Sequence, residues 1–193
     1  MRVSDGLIGL AVALFPVMAA LASEARPDAL WRALAQPGHV VLMRHADAPG
    51  VGDPPGFRIG DCASQRNLGE RGRQQARVIG ERFRREGVSV SLVLSSQWCR
   101  ARETAELMAL GPVEDAPAAL NSFFGRPGER HAATEALKAR LAALPPDAAT
   151  VVMVSHQVNV TALSGVYPRS GEMVVLRRDA AGAFTPLGRL APD

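Results

Sequence analysis

The segment TVVMV at 150–154 is the feature that most limits what this chain can fold into. A strand with one wet face alternates apolar and polar residues. This run is apolar at every position after the threonine, the pattern of a strand covered on both faces and therefore of a mainly parallel sheet between helices. Two further runs, HVVLM at 39–43 and VSLVL at 90–94, have the same character. Each of the three is followed at once by polar residues.

The segments between these runs read as helices. Ala76, Ile79, Gly80 and Phe83 follow i, i+3, i+4, i+7 spacing within an expected helix over 67–86 that Gly87 ends. Other helices are expected over 27–35, 98–110, 131–144 (closed by Pro145-Pro146) and 157–163, with a strand over 88–94. The segments 172–177 and 184–190, separated by RDAAGA, read as a hairpin at the sheet edge. The expected fold is one α/β domain over 25–193, a three-layer α/β/α arrangement with a mostly parallel sheet. A chain of 193 residues with 47% hydrophobic and 21% charged residues has the profile of such a globular domain.

Residues 7–22, LIGLAVALFPVMAALA, form an uncharged apolar stretch after Arg2, too short for a comfortable membrane span, which needs about 20 residues. With the small-x-small pattern Ala20-Leu21-Ala22, residues 1–22 read as a signal peptide, an uncleaved anchor being the alternative. The remainder is expected in the periplasm or secreted, with no stable membrane insertion once the signal is removed. In an oxidising compartment, Cys62 and Cys99, which form no CxxC motif, are expected to be disulfide-bonded; two separately buried thiols are the other reading. The basic residues are arginines except for Lys138, which favours anion recognition by forked guanidinium groups. A net charge of +3 without a basic run interleaved with aromatics argues against nucleic-acid binding.

Three strand ends carry polar chemistry: Arg44-His45 after the first run, Ser95-Ser96 after the second, Ser155-His156 after the third. In open α/β sheets ligands bind at the carboxyl ends of strands, so these points are expected to converge. Arg100 lies one helical turn beyond Ser96, near a helix N-terminus. Two histidines and two arginines there make a positive pocket holding a nucleophile, a set suited to phosphoryl transfer: imidazole attacks phosphorus and guanidinium groups hold the equatorial oxygens.

MRHADAP at 43–49, SSQWCRARETA at 95–105 and VSHQVNVTALSG at 154–165 resemble the three signatures of the histidine phosphatase superfamily, in its phosphoglycerate-mutase-like branch 1. NLGERGRQQA at 67–76 is similar to the segment between the first two. The resemblance implies that His45 is the nucleophile that becomes phosphohistidine. It implies that Arg44, Arg100 and His156 bind the phosphoryl oxygens, and that neither metal nor cofactor is required.

The sequence departs from the family pattern twice. Ala46 replaces the glycine that usually follows the nucleophile, which is tolerable unless the backbone there needs positive φ. Ser122, in LNSFFG, stands where many members carry a general-acid glutamate. Asp47 is the first candidate for a substitute acid, with Asp61 and Glu172 behind it. The alternatives are a substrate with a good leaving group, or a domain that binds phosphorylated ligands without hydrolysing them. Arg58, in the Gly/Pro-rich loop 49–61, is a candidate further phosphate contact. Asn121, Ser122, Phe123 and Phe124 are candidate pocket residues, and Glu103 is expected to pair within its own helix. The expected activity is hydrolysis of a small phosphorylated substrate, a phosphomonoester or an activated phosphoryl group; oligomeric state is left open.

Overall fold

The computed structural model describes residues 26–192. The segment 7–22, on which the export expectation rests, lies outside them. The elements are α1 (Pro27–Leu34), β1 (His39–Arg44), α2 (Glu70–Arg85), β2 (Val90–Ser95), α3 (Cys99–Met108), β3 (Val113–Asp115), α4 (Pro117–Leu120), α5 (Arg130–Ala142), β4 (Thr150–Ser155), α6 (Gln157–Ser164), β5 (Met173–Arg178) and β6 (Phe184–Leu190). No helix among the described residues is long and apolar enough to cross a membrane.

The strands form one six-stranded sheet in the order β3-β2-β4-β1-β5-β6. β1 and β2 each pair in parallel with β4, which lies between them, and β3 pairs in parallel with β2. The C-terminal hairpin joins antiparallel, β5 on β1 and β6 at the edge. The central position of β4 accounts for its composition: all six of its residues are buried. Alternate strand residues feed two cores. Val41, Met43, Val152 and Val154 pack with α1, α2 and α3, while Val40, Leu42, Val151 and Met153 pack with α4, α5 and α6. This is the expected three-layer arrangement.

The boundaries move where polar groups have other work. α2 begins at Glu70 rather than at 67, because Asn67 Nδ2 donates to Cys62 O (2.6 Å) and Leu68 is buried in the core. β2 begins at Val90 because Val88 N–H donates to Phe83 O (3.0 Å) and Gly87 N–H to Arg84 O (3.1 Å). These are the two bonds that close a helix through a glycine at positive φ, here 68°. β3 and α4 are additions to the expected order, too short and too little patterned to be read beforehand.

Two glycines let α2 approach its neighbours. A Cβ on Gly80 would sit 2.0 Å from Met108 O at the end of α3, and one on Gly72 would sit 1.9 Å from Asp47 O. The second contact fixes the turn that leaves β1.

Candidate active site

The carboxyl ends of β1, β4 and β2 are neighbours, so the residues that follow them meet. His45 N–H donates to Ser155 O of β4 (2.9 Å), extending the β1–β4 ladder, and Ser96 N–H donates to Val154 O (3.0 Å). The turn after His45 is held by side chains from two helices: Ala46 N–H donates to Thr104 Oγ1 of α3 (3.0 Å), and Asp47 N–H to Gln75 Oε1 of α2 (3.0 Å). Gly171 N–H donates to His45 O (3.0 Å) from the far side. Ala46 is fully buried and lacks positive φ, since Ala109 is the one non-glycine with positive φ among the described residues. The methyl group in place of glycine is therefore accommodated.

His45 is 2% exposed. Its Nδ1 lies 2.8 Å from Ala46 O, a carbonyl that can only accept, so the ring proton sits on Nδ1. Nε2 is left with a lone pair, which accepts from Arg100 Nε–H (3.1 Å). Burial, then the charge of Arg100, lowers the pKa of His45 to about 3, against the pull of its bond to Ala46 O; Arg44 and Arg66 lower it further. The ring is neutral at physiological pH. His156 meets it edge-on with ring centres 5.4 Å apart and is likewise held well below the ordinary range, by burial first and then by His45 and Arg100. Its Nε2 is 2.8 Å from Ser96 Oγ, whose own proton is directed to Asn121 Oδ1 (3.1 Å).

These residues form the floor of a cavity of ≈ 440 Å³. Among the described residues, its walls hold the guanidinium groups of Arg44, Arg66, Arg100 and Arg126 and one carboxylate, that of Asp53. Arg44 donates to Pro168 O (3.2 Å) through Nη1, and its buried Nε has no partner among the described residues. Arg66 donates to Gly52 O (2.8 Å) and to Ala48 O. Asp53 spans Arg100, accepting from Nη1 (2.7 Å) and Nη2 (3.2 Å), and also accepts from Trp98 Nε1 (3.0 Å) and Arg66 N–H (3.0 Å). Burial pushes the Asp53 carboxyl up, but its hydrogen bonds to Arg100 and Arg66 N–H outweigh that and hold it below the usual carboxylate range. A cavity with this surplus of cations and a neutral imidazole facing it is suited to an oxyanion and to nucleophilic attack on it.

Of the residues singled out from sequence, Arg44, His45, Arg100, His156 and Ser122 come together on these walls, whereas Asp47, Arg58 and Asn121 do not. Asp47 lines a separate hollow with Gln74, Gln75 and Arg169, because the turn pinned by Gly72 and Gln75 carries it away from the cavity. Arg58 pairs with Asp61 on the surface. Glu172 accepts from Arg169 N–H (2.7 Å) and faces Arg189 (3.7 Å), and neither it nor Asp61 lines the cavity. Asn121 stands behind the wall, accepting from Gln97 N–H (2.9 Å) and Ser96. Phe124 lines the cavity and Phe123 is buried in the interior. Glu103 pairs across to Arg73 of α2 (2.6 Å) rather than within its own helix.

Sequence reasoning missed Asp53, Arg66 and Arg126. Arg66 directly precedes the segment similar to the family pattern at 67–76, which was the one signal available for it. The disulfide expectation holds: Cys62 and Cys99 are bonded, with Cα atoms 5.7 Å apart. Cys99 N–H donates to Gln65 Oε1 (3.0 Å), so the bridge and this bond together tie the cavity loop to the residue before Arg100.

The chain belongs to the histidine phosphatase superfamily (branch 1), whose family model matches residues 40–135. It is 34% identical over 70 residues to the serine/threonine-protein phosphatase Pgam5, mitochondrial, of Drosophila grimshawi, an alignment covering 36% of this chain and 22% of that protein. The chain thus spans about a fifth of the length of the curated relatives it matches. Among solved structures, the protein histidine phosphatase SixA complexed with tungstate superposes with a TM-score of 0.59 at 21% identity, covering 80% of this chain and 97% of that one. YhfR of Bacillus stearothermophilus superposes at 0.58 and 18% identity, covering 76% and 93%. At these identities the likeness is one of fold.

Proposed function

We propose that this protein is a phosphatase that works outside the cytoplasm on small phosphomonoesters or activated phosphoryl groups, through a phosphohistidine at His45 and without a metal ion. One observation carries the reading: a neutral imidazole, its proton held by Ala46 O, turns its unprotonated nitrogen, which accepts from Arg100, into an arginine-walled cavity. In the reaction, Nε2 of His45 forms a bond to phosphorus as the bond to the leaving oxygen breaks. Arg44, Arg66 and Arg100 take up the charge on the equatorial oxygens, joined by His156 once the bound anion draws a proton onto its other ring nitrogen, and water then attacks the phosphohistidine to release phosphate. The departing oxygen needs a proton. The one carboxylate on the walls, Asp53, is held ionised by Arg100 and so supplies none at rest. This favours substrates whose leaving group is stable as an anion, or proton delivery by water.

The tungstate complex of SixA fits the reading, tungstate being an oxyanion shaped like phosphate. The disulfide fits an oxidising compartment. p-Nitrophenyl phosphate tests the activity, because its leaving group needs little acid assistance. Turnover by the wild type, lost in His45→Ala and retained in EDTA, is the expected result. No turnover above His45→Ala would leave a phospho-ligand-binding domain, and loss of activity in EDTA would exclude the metal-free route.

A further inference from the structure

The described residues expose four large apolar side chains: Val51 (89%), Ile59 (43%), Phe124 (58%) and Tyr167 (71%). Single exposed apolar residues are ordinary on a soluble protein. Here three of the four, Val51, Phe124 and Tyr167, line the same cavity, although they come from three separate segments: the loop after β1, the stretch after α4 and the turn after α6. Phe57, Trp98 and Val158 continue the apolar surface inward. The Trp98 ring stands 5.7 Å from Phe57 and 5.4 Å from His156, so an apolar wall runs from the mouth to the floor. An exposed apolar surface that opens onto polar groups marks a ligand site.

The cavity is also too large for its floor. Its ≈ 440 Å³ lies within the roughly 300–1,000 Å³ of sites that hold drug-sized ligands, far more than a phosphoryl group alone fills. The one carboxylate that the described residues place on its walls is already committed to Arg100, so none of them is left to pair with a cationic substrate.

Resting on the phosphatase reading above, we infer that the substrates are amphiphilic phosphomonoesters, whose phosphate sits on the arginine floor while an aliphatic or aromatic body lies against Val51, Phe124 and Tyr167 at the mouth. Polar sugar phosphates are then poorer substrates, because Val51, Phe124 and the Tyr167 ring offer their hydroxyls no partner and Arg126 on the same wall is already paired with Glu129 and Ser122 O.

The test uses 4-n-alkylphenyl phosphates from methyl to hexyl, below their micellar concentrations. Their leaving phenolates are stable as anions and differ little in basicity along the series, so a trend with length reports apolar contact and not acid demand. kcat/KM is expected to rise about two- to four-fold per methylene until the mouth is covered. Phe124→Ser/Tyr167→Ser should flatten that slope. The binding of n-alkylphosphonates to His45→Ala, followed by calorimetry, separates this inference from the phosphatase reading, since it requires no turnover. Affinity should climb with chain length there too, and octylphosphonate should lose its advantage over inorganic phosphate when the two serine substitutions are added. A flat series, or a slope that survives the double substitution, overturns the inference even if p-nitrophenyl phosphate is hydrolysed.

Discussion

Acidification should destabilise this protein through His45. The folded-state pKa is about 3 against an ordinary 6.5, so between those values the unfolded chain binds a proton that the native state refuses. Stability therefore rises with pH across that window and falls as pH drops from 6.5 toward 3. At pH 5 the unfolded imidazole is protonated by about 1.5 decades while the native one is not. At about 1.36 kcal/mol per pH unit, this removes about 2 kcal/mol relative to pH 7. His156, buried and depressed in the same direction, adds to the loss. Urea unfolding of wild type and His45→Asn at pH 7 and pH 5 isolates the term, because titrations common to both proteins cancel. Wild type should lose about 2 kcal/mol more than the variant, or roughly 4–8 °C in Tm for a domain of this size. Equal losses in the two proteins would mean that His45 is not held neutral by its surroundings.

Asp53→Asn removes the charge that balances buried Arg100 and should cost about 3 kcal/mol, in line with breaking a buried ion pair. It should also tighten tungstate binding, by freeing guanidinium donors and removing a repelling carboxylate; calorimetric titration showing weaker binding would refute this. Gly72→Ala forces a methyl group against Asp47 O, costing about 1–3 kcal/mol and lowering kcat by displacing the turn after His45. Gly80→Ala, with a similar clash against Met108 O, should lose stability while keeping kcat, and parallel kinetics for the two variants would contradict the assignment. Cys62→Ser/Cys99→Ser opens a loop closed over a separation of 37 residues, with an expected loss of about 3–4 kcal/mol read from urea midpoints. An unchanged midpoint would show that the packing around Gln65 holds the loop without the bridge.

The frame of this fold was legible because β1 and β4 are buried on both faces, as is the second half of β2, and each of the three ends in residues proposed to do the chemistry. Hydrophobic run, punctuation and motif agreed at 39–45, 90–96 and 150–156, and the structure places those strand ends side by side. The loop residues were not legible for a matching reason. Asp53 sits among glycines and prolines, where no periodicity points a side chain anywhere; it becomes part of the site only because Arg100, Trp98 and the Arg66 backbone converge on it. Asp47 was the more prominent carboxylate in the sequence, two residues from His45. Its direction depends on the contact between its carbonyl and Gly72, 25 residues further on, which no local pattern reveals. Tyr167 and Phe124 likewise share a mouth only after the chain has folded.

The most direct measurement is to quench the wild-type enzyme with base during turnover of 32P-labelled substrate and map the label by mass spectrometry. An acid-labile, base-stable phosphoryl group is expected on the peptide containing His45, absent from His45→Ala. Turnover without such an adduct, or label on any other residue, would contradict it.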